Sequence, residues 1–171
     1  MRHPIDLSVY LVLDPDLCGG TQGMIETTRA AVQNGATCVQ LRAPHWKKRA
    51  LVECGRALKS VLADFYVPLI INDHADVCLA VDAEGLHIGQ DDLSPLDARA
   101  IIGNEKVLGL SVSNTQELSA VDIRLVDHLG IGPIFSTSTK PDASAALGLD
   151  GFAALASRCL LYTSDAADDK A

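Results

Sequence analysis

Two aspartates carry the clearest chemistry in the chain. Asp73 and Asp92 each lie just past a short aliphatic run, and each comes with polar neighbours, in Asn72-Asp73 and Gly89-Gln90-Asp91-Asp92. Carboxylates are hard oxygen donors suited to Mg²⁺, which takes one or two of them and completes its shell with water and substrate phosphate oxygens. The same kind of position, after an aliphatic run, holds Gln40-Leu41-Arg42, Ser111, and a Gly-Pro turn leading into Ser136-Thr137-Ser138-Thr139-Lys140. Arg42 and Lys140 are cations, and an arginine fork grips phosphate with two parallel donors. Gln40, Asn72, Ser111, Thr137 and Thr139 add neutral donors. Two acids, two cations and several hydroxyls and amides together describe a site for a phosphorylated metabolite held with a metal ion.

Each group also has a plainer role. Asn72-Asp73 are suited to capping a short helix over 75–81. Asp91-Asp92 would serve as a solvated loop, Ser136 to Thr139 as a polar turn, and His87 as a core histidine. The functional reading rests on their shared location, which depends on the elements that carry them. Candidate strands are Ser8–Leu13, Thr37–Leu41, Val67–Ile71, Gly85–Ile88, Val107–Leu110 and His128–Ile131, apolar on both faces as buried parallel strands are. Between them lie amphipathic helices. Gly23–Asn34 stops at Asn34-Gly35, and Trp46–Asp64 places Leu51, Gly55, Leu58 and Leu62 on one stripe. A helix capped by Ser94 with Pro95 in its first turn follows, then one opened by the Asn114/Glu117 capping box and running to about Arg124, and a short one over Leu149–Ser157.

Strand and helix alternate six times, which is an α/β chain with a parallel sheet. Ligands of such sheets bind at the C-terminal strand ends, where every group above falls. Composition agrees: 171 residues, 48% hydrophobic and 21% charged, support a sizeable core, and 4% aromatic content makes that core aliphatic. A net charge of −8 opposes adhesion to nucleic acid or anionic lipid. No apolar run approaches the ~18 residues of a membrane span, and the first residues lack a signal-peptide pattern. Five scattered cysteines without a C-x-x-C read as buried thiols in a reducing compartment, so the expected location is cytoplasmic. Length by itself favours an open doubly wound sheet, since a (β/α)₈ barrel takes ~250 residues.

The motifs reverse that preference. Val39-Gln40-Leu41-Arg42, Ile70-Ile71-Asn72-Asp73, the run from Gly85 to Leu93, and the run from Gly130 to Pro141 resemble thiamine phosphate synthases in order and spacing, over roughly Val9 to Ser157. The resemblance implies a (β/α)₈ TIM barrel, incomplete here at about six units with strands seven and eight missing. It implies an enzyme that joins hydroxymethyl-aminopyrimidine diphosphate to hydroxyethyl-thiazole phosphate, giving thiamine phosphate and pyrophosphate. Carried over by position, Gln40 holds the pyrimidine. Arg42, Asn72, Ser111 and Lys140 hold the diphosphate, Asp73 and Asp92 hold Mg²⁺, and Thr137 and Thr139 meet the thiazole phosphate. No separate catalytic residue is implied, because ionisation of the C–O bond needs stabilisation of the departing diphosphate more than proton transfer.

Two departures stand out. Where the family carries a second cation, two positions after Arg42, this chain has Pro44; Lys47 and Lys48 follow on the next helix. Weaker diphosphate affinity is the expectation. After Arg158 the residues cease to resemble the family, and 159–171 look like translated sequencing-adapter DNA, so the expected division is a barrel domain over 1–158 and a non-native tail over 159–171. Poor activity of the chain as written is a further expectation. The alternatives are a thiazole tautomerase-like relative, distinguished by needing no diphosphate, a non-catalytic barrel fragment, and, more distantly, another phosphosugar-binding barrel.

Overall fold

Six short aliphatic runs form six parallel strands, paired in the order in which they occur along the chain: β1 (Tyr10–Leu13), β2 (Cys38–Leu41), β3 (Leu69–Asn72), β4 (Gly85–Ile88), β5 (Val107–Val112) and β6 (His128–Ile131). The computed structural model describes residues 5–136 and 145–158. Helices fill every crossover: α1 (Pro15–Cys18) and α2 (Gly20–Gln33) follow β1, α3 (Lys48–Ala63) follows β2, and α4 (Ala75–Val81) follows β3. Then α5 (Pro95–Ile102) follows β4, α6 (Thr115–Ala120) and a 3₁₀ turn (Ile123–Leu125) follow β5, and α7 (Gly148–Ala156) follows β6. Among the described residues no helix is long and apolar enough to cross a membrane.

The two faces of the sheet differ. Alternate residues point to opposite sides of a strand, and one set (Val39, Leu41, Leu69, Ile71, Leu86, Ile88, Leu108, Leu110) is buried in a single cluster with Leu51, Cys54, Leu58 and Leu62 of α3 and with Val77, Ala98 and Ile102. The other set begins as a small apolar layer of Cys38, Ile70 and Val107 with Tyr10 and Ile5 against it. Further along the strands this face turns polar, with Gln40, His87 and His128 all buried. The expectation of two apolar faces therefore holds only for the helix-covered side.

The sheet curls. β1 and β6 stand at opposite ends of the pairing order, yet the Tyr10 and His128 rings meet edge to face with centroids 6.0 Å apart. A flat six-stranded sheet with strands ~4.8 Å apart would hold these side chains more than 20 Å from each other. The described residues thus form the expected α/β architecture, six consecutive units of an incomplete barrel.

Local details differ from expectation. Asp14 accepts the Asp16 N–H at 2.8 Å and Pro15 opens α1, an unforeseen helix between the strand expected over Ser8–Leu13 and the helix expected over Gly23–Asn34. The helix expected to reach Arg124 stops at Ala120, where Val121 turns extended. Asp122 then grips the Arg124 backbone and guanidinium and starts the 3₁₀ turn. Residues 159–171, the expected tail, lie outside the described residues.

Candidate active site

The C-terminal end of β3 sets the frame of the site. Asp73 adopts a left-handed backbone (φ 62), a conformation that Asp tolerates better than most residues but that still costs about 1 kcal/mol. Two hydrogen bonds hold it: the Asp73 N–H donates to the His87 carbonyl at 2.8 Å, and the His74 N–H donates to the Asn72 carbonyl at 2.7 Å. α4 starts after His74 without a side-chain cap. The N-cap position of α4 therefore falls on His74 rather than on Asn72 or Asp73.

Asp92 sits in the exposed loop after β4, where its Oδ2 accepts the Gly89 N–H at 2.8 Å. That bond closes the turn and keeps the carboxylate next to the end of β4, the strand paired with β3. Gln90 ties the same loop to β5 by donating to the Ser111 carbonyl at 2.6 Å. On β2, Gln40 is 4% exposed and its Nε2 donates to the Tyr10 hydroxyl at 2.9 Å. The Arg42 N–H donates to the Leu13 carbonyl at 3.1 Å, extending the β1–β2 pairing to the rim. Gln40, Arg42, Asn72, Asp73, Asp92 and Ser111 thus stand at or just beyond the C-terminal ends of β2, β3, β4 and β5. Thr137, Thr139 and Lys140 lie outside the described residues.

Beneath this rim is a polar layer that sequence reasoning did not assemble. His87 Nε2 lies 2.9 Å from Ser111 Oγ, and His87 Nδ1 lies 3.4 Å from His128 Nε2. Burial pushes the His128 pKa down to about 4, keeping the ring neutral, and it also raises Tyr10 above its ordinary value. Cys38 is raised by burial to about 12, which leaves it an inert thiol. The signal for this layer was present in the strand period: His128 and Gly130, like Gly109 and Ser111, are two apart and share a face.

The donor set suits Mg²⁺. Two carboxylates come from the ends of adjacent strands, and among the described residues no three His, Cys, Asp or Glu gather as a tighter cage. Mg²⁺ takes few carboxylates and leaves room for water and phosphate oxygens. At the opposite end of the strands a cavity of about 610 Å³ is lined by Lys59, Asp82, Glu84 and Lys106 among others. Its lysines are committed to pairs: Lys59 to Asp82 and Glu84, Lys106 to Asp82 at 2.8 Å. The donor types suited to phosphate and a divalent ion stand at the other end of the strands, on the rim.

Comparison with known proteins identifies the family. The profile of the thiamine monophosphate synthase family matches residues 9–162. The thiamine-phosphate synthase of Xanthobacter autotrophicus is 53% identical over 148 residues, covering 86% of this chain and 70% of that protein. The thiamine-phosphate synthase of Azorhizobium caulinodans is 52% identical over 161 residues, covering 94% and 76%. Among solved structures, a thiamine phosphate pyrophosphorylase from Pyrococcus furiosus superposes with a TM-score of 0.76 at 27% identity, covering 88% of this chain and 70% of that one. With the profile spanning nearly the whole described chain, and with relatives above half identity, this chain belongs to the thiamine monophosphate synthase family.

Proposed function

We propose that the rim formed by β2 to β5 is where this chain carries out its family's reaction, as a transferase that joins a pyrimidine diphosphate to a thiazole phosphate and releases pyrophosphate. The observation that carries this reading is shared placement: Gln40, Arg42, Asn72, Asp73, Asp92 and Ser111 stand at or just past the C-terminal ends of four neighbouring strands, with Asp73 held in a left-handed conformation beside β4. Strain maintained by the surrounding hydrogen bonds is characteristic of functional positions.

In this reading Gln40, already oriented by Tyr10, presents its amide to the pyrimidine. Arg42, Asn72 and Ser111 bind the diphosphate, joined by Lys140, while Thr137 and Thr139 receive the thiazole phosphate. Asp73 and Asp92 would hold Mg²⁺, which when bound neutralises charge developing on the departing diphosphate. Holding both substrates over the same strand ends converts their encounter into a near-unimolecular step. The free, buried cysteines Cys38, Cys54 and Cys78 accord with a reducing cytoplasmic setting.

The test is Mg²⁺-dependent pyrophosphate release from the two substrates, together with calorimetric binding of Mg²⁺-pyrophosphate. Release that requires both substrates and is lost with EDTA supports the reading. Conversion of a lone thiazole phosphate with no pyrophosphate formed would overturn it.

A further inference from the structure

We propose that His128 is a positioning residue: it fixes which nitrogen of His87 carries the proton, so that His87 donates to Ser111 Oγ and the Ser111 hydroxyl proton stays directed at the diphosphate. The inference rests on the reading of Ser111 as a diphosphate ligand.

The geometry is a chain of three side chains, His128 Nε2 to His87 Nδ1 at 3.4 Å and His87 Nε2 to Ser111 Oγ at 2.9 Å. The backbone is built around it. Gly109 is paired with His87 on one side and His128 on the other, and a methyl group there would overlap both ring nitrogens. On β6, a methyl group at Gly130 would lie 3.3 Å from His87 Cε1. His128 is 6% exposed, and its Nδ1 is buried without a hydrogen-bond partner among the described residues.

A neutral imidazole has one N–H and one acceptor nitrogen, so this chain of bonds can run in only two directions. In one, His128 Nε2–H donates to His87 Nδ1, His87 Nε2–H donates to Ser111, and the orphaned His128 Nδ1 is a bare lone pair. In the other, Ser111 gives its only proton to His87, His87 Nδ1–H donates to His128, and the orphan is a buried N–H. Buried N–H groups are almost never left orphaned, whereas acceptors more often go short of partners. The second direction would also turn oxygen lone pairs toward an incoming oxyanion. Burial of His128 thus selects the direction that diphosphate binding requires, before the ligand arrives.

Long-range ¹H–¹⁵N correlation on the full chain, labelled with ¹⁵N-histidine at pH 7.5, reads the tautomers directly. His87 and His128 are both expected as Nε2–H forms. His128→Leu is expected to mix the His87 tautomers and to weaken Mg²⁺-pyrophosphate binding roughly three- to tenfold, the range of one neutral hydrogen bond. His128→Gln, whose amide nitrogen falls near the place of Nε2, is expected to restore both. A proton on His87 Nδ1 in the unaltered chain overturns the proposal even if His128→Leu does not fold, as does an unchanged His87 tautomer in a folded His128→Leu. Ser111→Ala separates the premise. If it leaves pyrophosphate affinity unchanged, the reading of Ser111 fails and takes the proposal with it. If it weakens binding while His87 carries Nδ1–H, the proposal alone fails.

Discussion

The two ends of the curled sheet are built on opposite principles. At the N-terminal end charges are neutralised inside the fold. Arg99 is 6% exposed and donates to the Leu125, Gly103 and Lys106 carbonyls and to Asp127, whose Oδ2 also accepts the Leu108 N–H at 2.7 Å. That cluster fastens α5, the 3₁₀ turn and β5 to one another. At the C-terminal end Asp73 is held in a costly backbone conformation and Asp92 keeps its carboxylate in an exposed loop. One end contributes stability; in the proposed reading the other keeps polar groups at the rim for ligands, a trade usual at active sites.

Arg99→Leu attacks the stabilising end and has the largest expected effect. It removes the guanidinium from a largely buried carboxylate and takes a donor from several carbonyls, a change worth about 3–5 kcal/mol of unfolding free energy. Urea or thermal unfolding measures it. Asp73→Asn attacks the other end, with the opposite profile: pyrophosphate release falls by roughly 10²–10³, in the range for losing a group aimed at transition-state charge, while stability changes by less than about 1 kcal/mol. If Asp73→Asn unfolds the chain while Arg99→Leu spares it, the contrast between the ends is wrong.

His128 lies between the two and makes the contrast depend on pH. Its folded pKa is depressed from 6.5 to about 4 by burial, so between these values the unfolded chain binds more protons than the folded one. Its contribution is therefore fully present above pH 6.5 and is lost as pH falls toward 4, with a size on the order of 3 kcal/mol. Urea midpoints measured across that window should fall toward acid, and His128→Leu should flatten this part of the profile.

The sequence-based reading succeeded where local chemistry decides structure. All six strands were expected at their places because buried parallel strands read as short aliphatic runs bounded by turns. α5 followed from Ser94 and Pro95, and the observed cap has the Ser94 side chain accepting the Asp97 N–H. The same signal at Asp14-Pro15 went unread, because a four-residue helix leaves no hydrophobic period to confirm it. The places of the described rim residues were legible because each lies at or just past the end of a strand. The polar layer was not assembled: strand period puts His87 and His128 on one face, but it does not show which strands are neighbours, and Tyr10 meets His128 only through the curl of the sheet.

Pro44 offers a finer probe of the rim. Pro44→Lys restores an ammonium beside Arg42 and should tighten Mg²⁺-pyrophosphate binding by roughly fivefold, about 1 kcal/mol for one added charge-assisted contact. An unchanged affinity would mean that another cation already fills the role, and Lys48 on α3 is the nearby candidate. Its Nζ is instead 2.6 Å from Asp76 Oδ2 on α4, in a pair whose side chains are 60% and 59% exposed. Exposed pairs of this kind contribute about 0–1 kcal/mol, so Lys48→Ala is expected to shift stability by at most about 0.5 kcal/mol and to leave pyrophosphate affinity unaltered. A loss of affinity in Lys48→Ala, paired with no gain in Pro44→Lys, would show that α3 supplies the missing charge and that the Asp76 pair opens when the ligand binds.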